Sequence, residues 1–222
     1  MPCFLDKTRH FLFHHIFTTF VFYSPKYKNT MLLLSFAWLL YGAIHSLMAS
    51  NFFKAFMLKI SGEKFRFYRL LYNAIAFTSL ILVLYLQFST EKAILWQVSD
   101  YEQVIGKFIC VFGVIFIATA LQGYDLSEFS GIGFKKNNEP QELKTDGLLQ
   151  YVRHPIYFGI LLLVWGFFIS DALTRSLSTA IAVTIYLLIG IYFEEKKLIL
   201  TFDEQYKAYQ KQVAMLIPFL RF

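Results

Sequence analysis

Cysteine is scarce in this chain of 222 residues. Cys3 lies near the start and Cys110 inside an apolar run, so the two offer neither a disulfide framework nor metal-ligand spacing. Cys110 reads as a small core residue. Internal repeats and low-complexity segments are absent. Strand and helix periods do not alternate, which excludes a parallel sheet with crossover helices. Gly131-Ile-Gly133 is a lone G-x-G with no strand before it, so it is not a nucleotide fingerprint. The net charge is +6. There is no groove-reading element and no basic stripe with interleaved stacking aromatics, so that charge does not point to nucleic acid. Residues 1–30 lack the small-residue cleavage site of a signal peptide.

What the chain has instead is apolar length. It is 57% hydrophobic and 19% aromatic, against roughly 45–50% apolar for soluble domains. The excess falls in long runs, which predicts an all-α integral membrane protein. About five transmembrane helices are expected: Met31 to Ala49, Leu70 to Phe88, Lys107 (or Val104) to Leu121, Ile156 to Ser170, and Leu177 to Phe193. The last two form a C-terminal helical hairpin through Asp171–Arg175. Leu198, Phe202, Tyr206, Tyr209 and Val213 then recur at helical spacing and predict a cytoplasmic amphipathic helix. Residues 31–222 are read as one membrane domain. Residues 1–30 are an N-terminal extension, either an interfacial helix or a stretch preceding a physiological start at Met31.

Basic residues set the orientation. Lys54, Lys59, Lys64, Arg66 and Arg69 follow the first span, and the loop after the third span and the C-terminal tail are also basic. These segments read as cytoplasmic, and the loops around Asp100 and Asp171 as external. The basic surplus fits topology and the lipid bilayer.

The chain is organised around Thr145–Gly159, TDGLLQYVRHPIYFG. Pro155 suits the first position of a helix, so Arg153 and His154 stand at a helix start, a place that favours anions. Glu194 and Glu195 close the last apolar run at the same membrane level. They mark the membrane boundary, with Lys196 and Lys197 as partners, or they face a watery interior. Beside Arg153 and His154 the arrangement suits a zwitterion, because Arg pairs with carboxylate and Glu with ammonium. Tyr151, Tyr157, Tyr206 and Tyr209 are belt residues or pocket walls that favour an onium ion. His45 on the first span is a packing histidine or a second base; no His or Cys companion at helical spacing makes it a metal ligand, and no metal is expected. Asp125 and Glu128 share a helix face at the start of the long polar loop.

Arg153-His154-Pro155-Ile156-Tyr157-Phe158-Gly159 fits an RHPxYxG pattern. Glu194-Glu195, Leu198, Phe202, Tyr206, Tyr209 and Pro218 fit an EExxL…F…YxxY…P pattern. Together they resemble the C-terminal half of the isoprenylcysteine carboxyl methyltransferase and phospholipid methyltransferase superfamily of membrane enzymes. Leu40–Ser50, Tyr68–Asn73 and Tyr124–Phe129 resemble the branch containing methanethiol S-methyltransferases and NnrU-like proteins. The resemblance implies S-adenosyl-L-methionine bound at the cytoplasmic side by His154, Pro155, Tyr157, Gly159, Glu194 and Glu195. It implies methyl transfer to a small thiol or a lipophilic acceptor, such as an isoprenylcysteine or phospholipid analogue. His154, Arg153 and Glu195 are then the candidate catalytic set, and His45, Asp125, Tyr206 and Tyr209 the candidate acceptor contacts. A thiol would need a base, and His154 and His45 are both candidates.

Two other classes compete. One is an NADPH-dependent membrane reductase of a steroid or lipid double bond, with Lys135 and Lys136 meeting a 2′-phosphate. The other is a non-catalytic membrane accessory protein.

Overall fold

The computed structural model describes residues 25–123 and 142–220. Its elements are α1 (Pro25–Ala49), α2 (Asn51–Ser61), a 3-10 stretch Gly62–Phe67, α3 (Tyr68–Ser89), α4 (Asp100–Leu121), a 3-10 turn Gly147–Gln150, α5 (Pro155–Asp171) and α6 (Thr174–Gln212). Among the described residues β-structure is limited to isolated bridges. The all-helical expectation therefore holds. The residue 1–24 segment, with its apolar stretch at 11–23, lies outside the described residues. So do Asp125, Glu128, the G-x-G and Lys135–Lys136.

Four described helices are long and apolar enough to cross a membrane: α1, α3, α4 and α6. The fifth expected span, α5, has 17 residues, about 25 Å of helix against a hydrocarbon core of about 30 Å. Helix α4 starts earlier than expected. Asp100 and Glu102 belong to it because Ser99 and Glu102 form a capping box: the Glu102 carboxylate accepts from Ser99 N at 2.7 Å, and Ser99 Oγ accepts from Glu102 N at 3.3 Å. That closes the donors a helix start leaves open, so polar residues that read as loop are helical.

Small residues bring α4 and α5 together. A Cβ on Gly106 would stand 2.6 Å from Gly166 O, and one on Gly113 would stand 2.8 Å from Gly159 O. The backbones touch through two glycine pairs two turns apart, the close approach that small residues permit between membrane helices. The pairing order makes the two helices antiparallel. Helices α1 and α3 are also antiparallel, since Tyr68 OH donates to Met48 O and Tyr72 OH meets His45. Helix α6 runs alongside α1: Trp38 Nε1 donates to Thr179 Oγ1 at 2.9 Å, and Ser46 Oγ lies 3.2 Å from Tyr186 OH. It runs against α5: Trp165 Nε1 donates to Thr184 Oγ1 at 3.0 Å. The C-terminal ends of α1 and α4 thus share one face with the start of α5 and with Glu194–Glu195.

The opposite face is closed by Arg175, which the sequence places in a plain connecting loop. It is buried. Its Nη1 donates to the carbonyls of Gln87, Phe88 and Thr90 at 3.4, 3.4 and 3.1 Å, satisfying acceptors that the end of α3 leaves open.

Helix α6 has 39 residues broken at Asp203; the run before the break, residues 174–202, is about 43 Å and so outruns the bilayer. Its apolar stretch ends at Phe193, leaving Glu194 onward beyond the membrane segment. The expected amphipathic helix is not a straight continuation. At Asp203, φ is 40° and ψ −119°, and the helix turns back on itself. Leu198 and Phe202 before the bend pack against Tyr206, Tyr209 and Val213 after it. The predicted stripe is therefore one apolar cluster made of two facing segments.

Candidate active site

The bend at Asp203 builds the site. Eleven residues of straight helix would separate Glu195 and Tyr206 by about 16 Å along the axis. Instead Tyr206 OH donates to Glu195 Oε1 at 3.3 Å, and Gln210 Nε2 donates to Glu195 Oε2 at 3.0 Å. The chain following α6 then pairs with the segment leading into α5. Arg153 N donates to Ala214 O at 2.8 Å and His154 N to Met215 O at 3.2 Å. Arg153 and His154 are thereby fixed from behind by their own backbone. Pro155 occupies the first turn of α5, and His154 provides no side-chain cap there.

Glu195 is the centre. Its Oε1 accepts from Arg153 Nε at 2.7 Å and lies 3.2 Å from His154 Nε2. Arg153 Nη1 also donates to Gln210 O at 3.1 Å and Val213 O at 2.7 Å. The Arg153 and Glu195 side chains are 9% and 15% exposed, so this ion pair is nearly dry. Burial pushes the Glu195 carboxyl up, but hydrogen bonds from His154 and Arg153 and their charges outweigh it and hold the group down at about 2. Burial, and then the Glu195 charge, raise the Tyr206 phenol, so it stays a neutral donor.

Glu194 is the open edge. Its side chain is 45% exposed. Glu194 Oε2 accepts from Tyr157 OH at 2.7 Å and lies 3.7 Å from His154 Nδ1. The His154 and Tyr157 rings stack with centroids 5.5 Å apart and planes 7° from parallel. A carboxylate beside a phenol and a stacked ring pair can receive a cation such as an ammonium.

The structure thus gathers Arg153, His154, Tyr157, Glu194, Glu195 and Tyr206 at one membrane edge. Tyr209 adjoins them, donating to Leu149 O at 2.6 Å and lying against Tyr206. Tyr151 is exposed and lies near Phe219. Gly159 faces α4, where a Cβ would stand 2.5 Å from Ile117 Cγ1. His45 stands apart, against Tyr72 and Tyr41. Gln210 was not foreseen. The signal was available, because it lies four residues after Tyr206 and next to Tyr209, but only the bend reveals its partner. Among the described residues no group of His, Cys, Asp and Glu could hold a metal ion.

Residues 28–213 match the family described as protein of unknown function (DUF1295). The chain belongs to this family, on the methanethiol S-methyltransferase and NnrU-like branch of the integral-membrane methyltransferases. It is 30% identical over 189 residues to methanethiol S-methyltransferase 1 of Bradyrhizobium diazoefficiens, covering 82% of this chain and 65% of that protein. It is 30% identical to the methanethiol S-methyltransferase of Crocosphaera subtropica, covering 79% of this chain and 70% of the relative. It is 32% identical to that of a Pseudomonas species, covering 81% and 70%. The chain therefore spans about two thirds of the length of these relatives. No solved structure matches it.

Proposed function

We propose that this membrane protein transfers a methyl group from S-adenosyl-L-methionine to a small thiol of the methanethiol kind, at the cytoplasmic face of a five-pass bundle. The observation that carries this reading is the meeting of Tyr157, His154 and Glu194 at a half-exposed edge, built on the Arg153–Glu195 pair. The printed names of the relatives supply the acceptor class. The basic segment after α1, with Lys54 and Lys59 on the short helix α2 and Arg69 at the start of α3, lies at the same end of the bundle as this edge and supports the cytoplasmic side.

The donor set fits the cofactor with one change from the sequence expectation. Glu194 and Tyr157 receive the ammonium. The uncapped start of α5 favours the carboxylate. Arg153 is committed to Glu195 and to two carbonyls, so it positions the site and does not grip the ligand. Glu195 and Gln210 hold the refolded tail, and Tyr206 shuts its base. Bound there, the cofactor supplies an electrophilic methyl on sulfur. The protein aligns the acceptor with that methyl and keeps water out.

The test is isothermal calorimetry of the detergent-purified protein with S-adenosylhomocysteine. Saturable binding that falls roughly tenfold in Glu194→Gln, with melting unchanged, is expected. No binding by the parent protein would refute the reading.

A further inference from the structure

His154 and His45 both qualify as the thiol's base by residue type, and their surroundings separate them. His154 has Nε2 at 3.2 Å and Nδ1 at 3.7 Å from the two glutamates, with its side chain 4% exposed. Nε2 is engaged with Glu195 inside the structural network, and Nδ1 faces Glu194, the carboxylate assigned above to the cofactor's ammonium. His45 is half-buried on α1, inside the membrane span. An ionisable side chain at that depth marks function more often than packing. The Tyr72 hydroxyl lies 2.7 Å from His45 Nε2 and 3.2 Å from Nδ1. The rings against His45 are phenols, Tyr41 on α1 and Tyr72 on α3, and Tyr68 on α3 and Tyr186 on α6 stand near Tyr72 in turn.

Helix α6 links this cluster to the edge at Glu194. The Tyr186 ring lies over Gly42, where a Cβ would stand 2.5 Å from it, and its hydroxyl meets Ser46. One turn further along is Gly190, and one more turn brings Glu194. A Cβ on Gly190 would meet nothing within 4 Å. Residues at i, i+4 and i+8 share a helix face, so Tyr186, Gly190 and Glu194 lie along one face of α6 with open space at Gly190 between the phenol cluster and the carboxylate edge.

We infer that Tyr72 and His45 form the proton relay for the acceptor thiol, beyond the Glu194 end of the same site. The inference rests on the methyl-transfer reading above. The thiol gives its proton to the Tyr72 oxygen as the Tyr72 proton moves to His45 Nε2. The sulfur pair so freed forms the new S–C bond while the donor's S–CH3 bond breaks, its pair staying on the donor sulfur. The proton leaves the imidazole to water.

The experiment adds methanethiol to detergent-purified, cofactor-free protein and follows the ultraviolet absorbance of the thiolate against pH. Methyl transfer with S-adenosylmethionine is measured in parallel. The parent protein is expected to show thiolate below the pH at which free methanethiol ionises. His45→Gln and Tyr72→Phe are expected to lose that signal and roughly a hundredfold of neutral-pH turnover, with turnover recovering at alkaline pH and S-adenosylhomocysteine affinity unchanged. If both variants keep the parent's absorbance and pH profile, or the parent shows no thiolate shift, the relay is wrong. Where His45→Gln fails to fold, Tyr72→Phe decides. If the parent binds no cofactor, the methyl-transfer reading fails by itself, and the thiolate measurement still decides the relay.

Discussion

Arg153 Nε and Glu195 Oε1 stand 2.7 Å apart across 42 positions of sequence, and both side chains are almost dry. The pair joins the start of α5, the membrane exit of α6 and, through the Gln210 and Val213 carbonyls, the returning tail. Removing one partner of a buried pair costs roughly 3–5 kcal/mol, because the other charge is left uncompensated. Glu195→Gln and Arg153→Met are each expected to lower the melting temperature in detergent strongly. The double variant should lose clearly less than the sum of the two.

The same pair sets a pH response. The Glu195 carboxyl titrates at about 2 in the folded protein, against an ordinary 4.5. A depressed folded value contributes stability above the ordinary value, and the contribution is lost as pH falls through the folded one. The melting-temperature gap between parent and Glu195→Gln should therefore be constant from neutral pH to about 4.5. It should then shrink between there and about 2. A gap that is flat down to pH 2 would contradict the assignment.

Asp203 holds φ 40°, ψ −119°, a region where a non-glycine residue stores roughly 1–3 kcal/mol. Its side chain pairs with Lys207, but both groups are well exposed, so that contact adds little. Asp203→Gly is expected to melt at or above the parent temperature, while Asp203→Val should melt lower. Thermal scans of the three proteins compare them directly.

Two glycine substitutions should part company. Gly113→Ala drives a methyl toward Gly159 O at 2.8 Å and Leu163 N at 3.0 Å, which overpacks the α4–α5 seam at a cost of about 1–3 kcal/mol. Gly190→Ala meets nothing and gains about 0.5–1 kcal/mol from reduced backbone freedom. Equal melting shifts in the two variants would argue against the seam.

Helix type and order were legible because apolar runs of span length leave few alternatives. Both halves of the site were legible as charged pairs at the ends of consecutive runs, and the hairpin put them at one level. The helical reach of Asp100 and Glu102 was hidden by their polarity and is explained by the Ser99 cap. The division of labour was hidden too. Spacing could place Arg153 near two glutamates, but only side-chain distances show it bound to Glu195 while Glu194 stays open. The return at Asp203 had no sequence marker, since neither glycine nor proline stands there.

That return has a consequence for how the protein is made. Glu195 leaves the ribosome before Tyr206, Gln210 and the Val213 carbonyl, which follow it in the chain. The membrane helices can be inserted while the carboxylate still lacks its tail partners. Completion of the site thus waits for residues 206–213, and a chain stopped before them would sit in the bilayer with its helices threaded but without a finished pocket.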